Sequence, residues 1–345
     1  MTLPIRTSYE PMEARPAEEL PQGKEWQYEP KWDGFRCLAF RDGKKVELQS
    51  KSQKPLTRYF PELAASLAKL AATKFILDGE IVIPVKGGLS FDDLLQRIHP
   101  AASRVKLLSE QTPSVFIVFD ILLDPDGGAN LTKLPLKERR ARLEKFAKKY
   151  FRKGGDLQLS PATSDIAQAR AWFHMGTSLD GIVAKRVDMP YQSGNRNGME
   201  KIKTQRTADC VVGGFRYLEK KKQVGSLLLG LYNHEGKLDH VGFSSSFDAA
   251  ERAALTKRLE KMIKPPGFTG KAPGGLSRWS TRHSMEWQPL DDTLVAEVQF
   301  DHFTGGRFRH GTKFLRWRPD KKPRACTMDQ VKRENRSALD LLTKK

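Results

Sequence analysis

Cysteine is scarce in this 345-residue chain. There are three, Cys37, Cys210 and Cys326, an odd number with no C-x-x-C spacing. Neither a disulfide framework nor a four-cysteine zinc site can be built from them, and a reduced compartment, the cytoplasm, is expected. Histidine is sparse too: seven residues, scattered, with no H-E-x-x-H or H-x-x-H pair to hold a metal. Long apolar runs are missing. The longest, "VFIVFDILL", is interrupted by Asp120 and far too short to span a bilayer. The opening "MTLPIRTSYEPMEARP" has no apolar signal core. Membrane insertion is not expected, and neither an internal repeat nor a low-complexity segment is visible.

What the chain has in excess is positive charge. Sixty Lys and Arg face 41 Asp and Glu, a formal net charge of +19. A field of that sign concentrates polyanions near the surface and favours phosphate binding through counterion release. A generally basic protein with no nucleic-acid partner is the plain alternative. The length points to two domains, since single cores stop growing before this size.

Runs rich in β-branched and aromatic residues predict strands over 35–40, 45–49, 75–83, 115–122 and 181–184. Helical periodicity appears over 61–72, 91–98, 136–150 and 166–175. Strands and helices mix with long connections, which suggests an α+β domain on antiparallel sheets more than βαβ winding. After about residue 207 the texture changes. "DCVVGGFRY", "GSLLLGLYNHEG", "KLDHVGFSSS", "TLVAEVQFDHF" and "TKFLRWRP" read as five short strands, with one helix over 248–263 and a Pro/Gly-rich loop, "PPGFTGKAPGGLS". That pattern predicts an all-β OB-type barrel with one helix. A basic helical tail over 328–345 closes the chain.

One lysine stands out. In "EPKWDGFRCLAF", Lys31 lies between a proline and a Trp-Asp-Gly-Phe-Arg run. A lysine attacks only as the free amine, so a functional Lys31 needs desolvation or neighbouring cations. Arg36 is five residues on, and Asp33-Gly34 favours a tight turn where a nucleotide could approach the backbone. A solvated lysine beside an Asp-Gly turn is the bland reading of this stretch alone.

It is followed by "LDGEIVI" with Glu80, "VFDILL" with Phe119 and Asp120, "DGIVAKR" with Asp180 and Lys185, and "EKIK" with Lys201 and Lys203. The ordered series K-x-D-G-x-R, D-G-E, F-D-x-L, D-G-[IV]-x-x-K and K-x-K resembles the successive motifs of the covalent nucleotidyltransferases, specifically the ATP-dependent DNA ligases. "RTADCVVGGFR" and "RWRPDKKPRACT" resemble the last two. The resemblance implies a nucleotidyltransferase (adenylation) domain over 1–205 and an OB-fold domain over 206–327. By the same resemblance Lys31 takes AMP from ATP, passes it to the 5′-phosphate of a nick, and the adjoining 3′-hydroxyl displaces it. In-line geometry and charge neutralisation dominate such steps.

Roles carried by the resemblance follow residue type. Glu29 would lie at the adenine edge, Phe119 would stack on the base, and Glu80 would hold the ribose hydroxyls. Glu80 and Asp180 would be the carboxylates for Mg²⁺, with Mn²⁺ as an alternative ion. Arg36, Lys51, Lys185, Lys201 and Lys203 would face ATP or nick phosphates. Arg318, Asp320 and Lys321 match the closing motif, implied to swing over ATP about a hinge near 203–207 and to orient pyrophosphate. Three departures stand out: Lys51 where many relatives have arginine, Asp180 for glutamate, and Met199 for tryptophan.

The NAD-dependent ligases share K-x-D-G but add a large preceding module and a four-cysteine zinc site, so ATP is the expected donor. "YEPKWDGFR" and "RFRHGTKFLRWRPDKKP" look most like the stand-alone bacterial ligases of the LigC type. Nicked or broken duplex DNA gripped through its phosphates, a monomer, the bacterial cytoplasm or nucleoid, and by analogy Ku with an associated repair polymerase are the implied substrate, state, place and partners. An RNA ligase or mRNA guanylyltransferase using the same lysine, and a non-catalytic OB-containing binder, are the alternatives.

Overall fold

The computed structural model describes residues 1–86, 88–173, 179–204, 206–219, 221–274, 286–331 and 339–343. The chain forms two compact units, one of Met1–Thr204 with Arg333–Lys345, the other of Gln205–Lys332.

The first unit holds two principal sheets. In the five-stranded one the order is Lys45–Ser50, Phe35–Asp42, Lys74–Val82, Val115–Leu123, Leu157–Leu159, antiparallel except for the last pair. Val115–Leu123 is the run "VFIVFDILL", buried on both faces, so its apolar residues need not alternate. Helix Leu136–Tyr150 turns Leu136, Leu143, Phe146 and Ala147 inward and packs on that strand. Helix Pro61–Lys69 starts with proline at its first turn, where the missing N–H is no loss, and buries Leu63 and Leu67. These helices cover one face of the sheet. Leu38, Phe40, Ile76 and Leu122 on the other face join Ile5, Met12, Tyr191 and Met199 in a separate cluster.

The second sheet runs Arg15–Pro16, Met199–Lys203, Gly181–Arg186, Trp26–Lys31. Trp26–Lys31 is its edge strand, and this position tolerates Pro30, which has no N–H to give a further neighbour. Tyr28, Ile182 and Ile202 point to an apolar layer with Trp26, Trp172 and Leu179. Their sequence neighbours point the other way.

In the second unit the sheet order is Leu238–Ser244, Lys221–Tyr232, Arg206–Leu218, Val295–Phe300, Lys313–Trp317, with Gln288–Pro289 also on Arg206–Leu218. Register shifts at Val212/Gly214 and Arg216/Tyr217 bend the two longest strands, and helix Arg252–Glu260 lies against Lys221–Tyr232. The fold is of the expected OB class, with one correction. The barrel is not closed by a continuous ladder: the end strands meet at one isolated parallel bridge, Ser244 to Thr312. Local strand pattern predicts strands but not whether the last pairs with the first.

Expected strands and helices of the first unit recur within a few residues of their ends. The sequence reading missed helix Ala102–Gln111 and strands Trp26–Lys31, Leu157–Leu159 and Met199–Lys203. Of the expected helical tail, the described residues hold a 3-10 turn, Met328–Val331, and a single helical turn, Asp340–Thr343. Its residues 332–338 and 344–345, the end of the 265–277 loop, His174 and Met175 of the expected 166–175 helix and residue 205 of the expected hinge lie outside the described residues.

Candidate active site

Register assembles the site. Gly181 pairs with both Lys31 and Lys203, Val183 with Glu29 and Lys201, and Lys185 with Gln27 and Met199. Side chains in a strand alternate between faces. Glu29, Lys31, Lys185, Lys201 and Lys203 therefore share one face, opposite the apolar layer. Glu29, Lys31, Lys185 and Lys201 line a cleft there with Arg36, Lys51, Glu80 and Phe119. Between the two lysines stands Gly181, at φ +138°, where a Cβ would run into the Ile202 carbonyl oxygen. Gly34 is required for a different reason than the sequence suggested. Its φ is not positive, and a Cβ would collide with the Ile81 carbonyl of the neighbouring strand, so the close approach is to protein backbone.

Lys31 Nζ donates to Asp180 Oδ2, both groups largely shielded from water. An ammonium held by a carboxylate has no lone pair to offer, so attack requires that its proton move to Asp180 or beyond. The side chain rests in an ion pair with that carboxylate. Around it gather further cations. Burial first, then the ammonium groups of Lys31, Lys51 and Lys203, push Lys201 below the ordinary lysine range.

On the opposite wall, Arg36 lies across from Glu80 in register and donates to both oxygens of buried Asp78, at 2.6 and 2.7 Å. Phe119 is buried, with the Arg36 guanidinium 4.5 Å and the Lys185 ammonium 4.4 Å from its ring centre. Lys185 Nζ donates to Glu29 Oε2 at 2.7 Å in a pair almost wholly out of water. Two cations expected to face phosphates are therefore engaged by carboxylates, and Glu29 is held by Lys185 and by Gln27 Nε2. Glu80 differs. Among the described residues its carboxyl has no hydrogen-bond or ion-pair partner, and burial pushes it up to about 7 against the pull of Arg36 and Lys31.

The sequence reading missed one wall. Pro11, Met12, Glu13 and Ala14 line the cleft, and Glu13 pairs with Lys51 at 3.0 Å and Arg196 at 3.2 Å. No motif marks this segment. Asp78 was visible inside "LDGE", but its burial and its partners were not.

Arg318 and Lys321 lie in the second unit. Arg318 donates to Asp209 at 2.8 Å and to Asp320 at 2.8 Å, and Lys321 Nζ is 3.3 Å from Asp209. The hydrogen bond from Arg318 holds Asp320 down at about 2.

Comparison with known proteins decides the family. Residues 11–203 match the model of the ATP dependent DNA ligase domain, and residues 220–321 that of the ATP dependent DNA ligase C terminal region. The chain belongs to the ATP-dependent DNA ligases. It is 43% identical to DNA ligase C2 of Mycolicibacterium smegmatis and 42% identical to DNA ligase C of Mycobacterium tuberculosis, each over 96% of both chains. A solved chain from a structure–function study of Lig E DNA ligases superposes with a TM-score of 0.51 at 17% identity, covering 88% of this chain and 100% of that one, and supports the fold alone. The ligase thus uses ATP and seals nicked DNA, and the guanylyltransferase, RNA-ligase and non-catalytic alternatives are not favoured.

Ligases of this family work with a divalent metal. Among the described residues no three His, Cys, Asp or Glu side chains converge, so the ligase has no preformed cage there. A hard dication that keeps its waters and leans on substrate phosphates needs one or two carboxylates. Glu80, unpartnered and on the cleft, fits that need. Asp180 is committed to Lys31 as the site stands.

Proposed function

We propose that Lys31 is the adenylated residue of this ligase and that the Glu29–Lys31–Glu80–Lys201 cleft is its nucleotide site. What carries the reading is the Lys31–Asp180 pair on a face shared with Lys185, Lys201 and Lys203. In this scheme Asp180 takes the proton from Lys31 Nζ, and the freed amine attacks the α-phosphorus of ATP. A P–N bond forms, and the P–O bond to pyrophosphate breaks. The 5′-phosphate of a nick then displaces Lys31 to give an adenylated end. Attack by the adjoining 3′-hydroxyl closes the strand and releases AMP. Lys51, Lys201 and Lys203 would neutralise phosphate charge, and Phe119 would present its ring to the base beside Arg36 and Lys185.

Glu80 would hold Mg²⁺, with Mn²⁺ as the alternative, and the ion would supply charge neutralisation at the phosphates. Arg318 and Lys321 would leave Asp209 to orient pyrophosphate. The domain limits 1–205, 206–327 and 328–345, a monomeric state, a bacterial cytoplasmic setting, DNA repair, and Ku with a repair polymerase as partners at double-strand ends belong to the same proposal.

The test is incubation of the full chain with α-labelled ATP, followed by peptide mapping. The label should sit on the Lys31 peptide and vanish in Lys31→Ala. A label that persists in that variant would sink the assignment. Blunt-ended DNA with and without a cognate Ku in the same assay reads the partner: no gain in joined ends removes Ku from the scheme.

A further inference from the structure

Behind the cleft, four groups close into a ring of hydrogen bonds. Arg36 donates from Nε and Nη2 to the two oxygens of Asp78. The Tyr191 hydroxyl donates to Asp78 Oδ2 at 2.6 Å and accepts the backbone N–H of Met12 at 3.0 Å. Arg36 Nη2 returns to the Met12 carbonyl at 3.3 Å. Asp78, Tyr191 and the Met12 side chain are buried, and Arg36 and Met12 line the cleft. The ring thus joins a hidden pair to two pieces of the wall that a nucleotide would touch.

Tyr191 is itself fixed from several sides. Its backbone N–H donates to Thr132 at 2.8 Å, its ring stacks on Tyr9 at 6.1 Å, and the Arg139 guanidinium lies 5.5 Å from its centre. Burial and then the Asp78 charge push the phenol well above its ordinary range, so it keeps its proton at every working pH. With that proton on Asp78, the phenol oxygen serves Met12 as an acceptor. The direction of every bond in the ring is therefore set.

We infer that Tyr191 is a positioning residue for the ATP cleft, fixing through Asp78 and Met12 where the Arg36 guanidinium and the 11–14 wall stand before the nucleotide arrives. The inference rests on the Lys31 cleft being the nucleotide site. Tyr191 touches neither nucleotide nor reacting atoms in this scheme. Its effect is on how well the site is organised for binding.

The test follows formation of the labelled adduct on the full chain as ATP is varied. Tyr191→Phe keeps the ring and removes both hydrogen bonds of its hydroxyl. It should raise KM for ATP about tenfold, the size expected when a buried donor loses its partner, with kcat for adduct formation within about twofold. Phe40→Leu trims the same buried cluster without touching the ring and should leave KM unchanged. An unaltered KM in Tyr191→Phe, or an equal rise in Phe40→Leu, overturns the inference. Lys31→Ala separates the two claims. A label persisting there defeats the cleft reading, while a normal KM for Tyr191→Phe in a chain that labels at Lys31 defeats the positioning role alone.

Discussion

Lys185→Met should destabilise the first unit far more than a surface lysine substitution would. Side-chain exposure is 6% for Lys185 and 2% for Glu29, and their 2.7 Å contact is the principal counter-charge for that carboxylate. Methionine preserves most of the stem but leaves Glu29 with Gln27 Nε2 at 2.9 Å as its remaining side-chain donor among the described residues. Breaking a buried pair from one side costs about 3–5 kcal/mol, because an uncompensated charge stays behind. For a unit of this size, each kcal/mol lowers Tm by about 2–4 °C, so the unfolding transition should fall by about 6–20 °C. The companion variant is Glu29→Gln combined with Lys185→Met, which removes both charges and should return most of the loss. Differential scanning calorimetry of the three proteins in one buffer provides the measurement. A drop below about 3 °C for Lys185→Met, or a double variant no better than the single, would refute the idea that this pair is a coupled buried unit.

Three other outcomes follow from charge. With the Glu80 carboxyl pushed up to about 7 by burial, its ionised fraction grows across pH 6 to 8, and metal-supported adduct formation should rise over that window; Glu80→Gln should be slow and lose this part of the pH profile. The same raised value means this group favours the folded state fully below about 4.5 and that its contribution is lost as pH rises through about 7, so the stability of Glu80→Gln should vary less over that range. The net charge of +19 predicts that nicked-duplex affinity falls steeply with salt, on the order of a hundredfold or more between 50 and 200 mM; a flat response would argue against a phosphate-led grip.

Much of this was legible in the sequence, and what was not has identifiable reasons. Val115–Leu123 announced itself because a doubly covered strand is apolar throughout. Helix Leu136–Tyr150 did so by its periodic inward face. Ala102–Gln111 did not, since Val105 is its single buried residue and its apolar stripe is thin. "WQYEPK" carries a proline that argues against a strand unless the strand is known to lie at an edge. "MEKIK" sets two adjacent charges, Glu200 and Lys201, between its apolar residues, so it shows no clean period-2 pattern over its five residues. The motifs marked Lys31, Glu80, Phe119, Asp180, Lys185 and Lys201, and the register shows how the strands bring several of them to one face. They could not show what each already holds: Asp180 on Lys31, Glu29 on Lys185, Asp78 on Arg36. Pairings across more than a hundred residues, such as Tyr191 with Asp78, leave no local trace.

The alternation along Gly181–Arg186 reaches beyond chemistry. A slip of one residue against either neighbour would carry Ile182 and Ala184 into the open cleft and drive the Lys185 ammonium into the layer of Tyr28 and Ile202. That misalignment is penalised by the same charged heads proposed to meet the nucleotide. Correct strand pairing and a phosphate-ready surface are thus guarded by one set of side chains, and a variant neutralised at several of them would lose fidelity of assembly along with turnover.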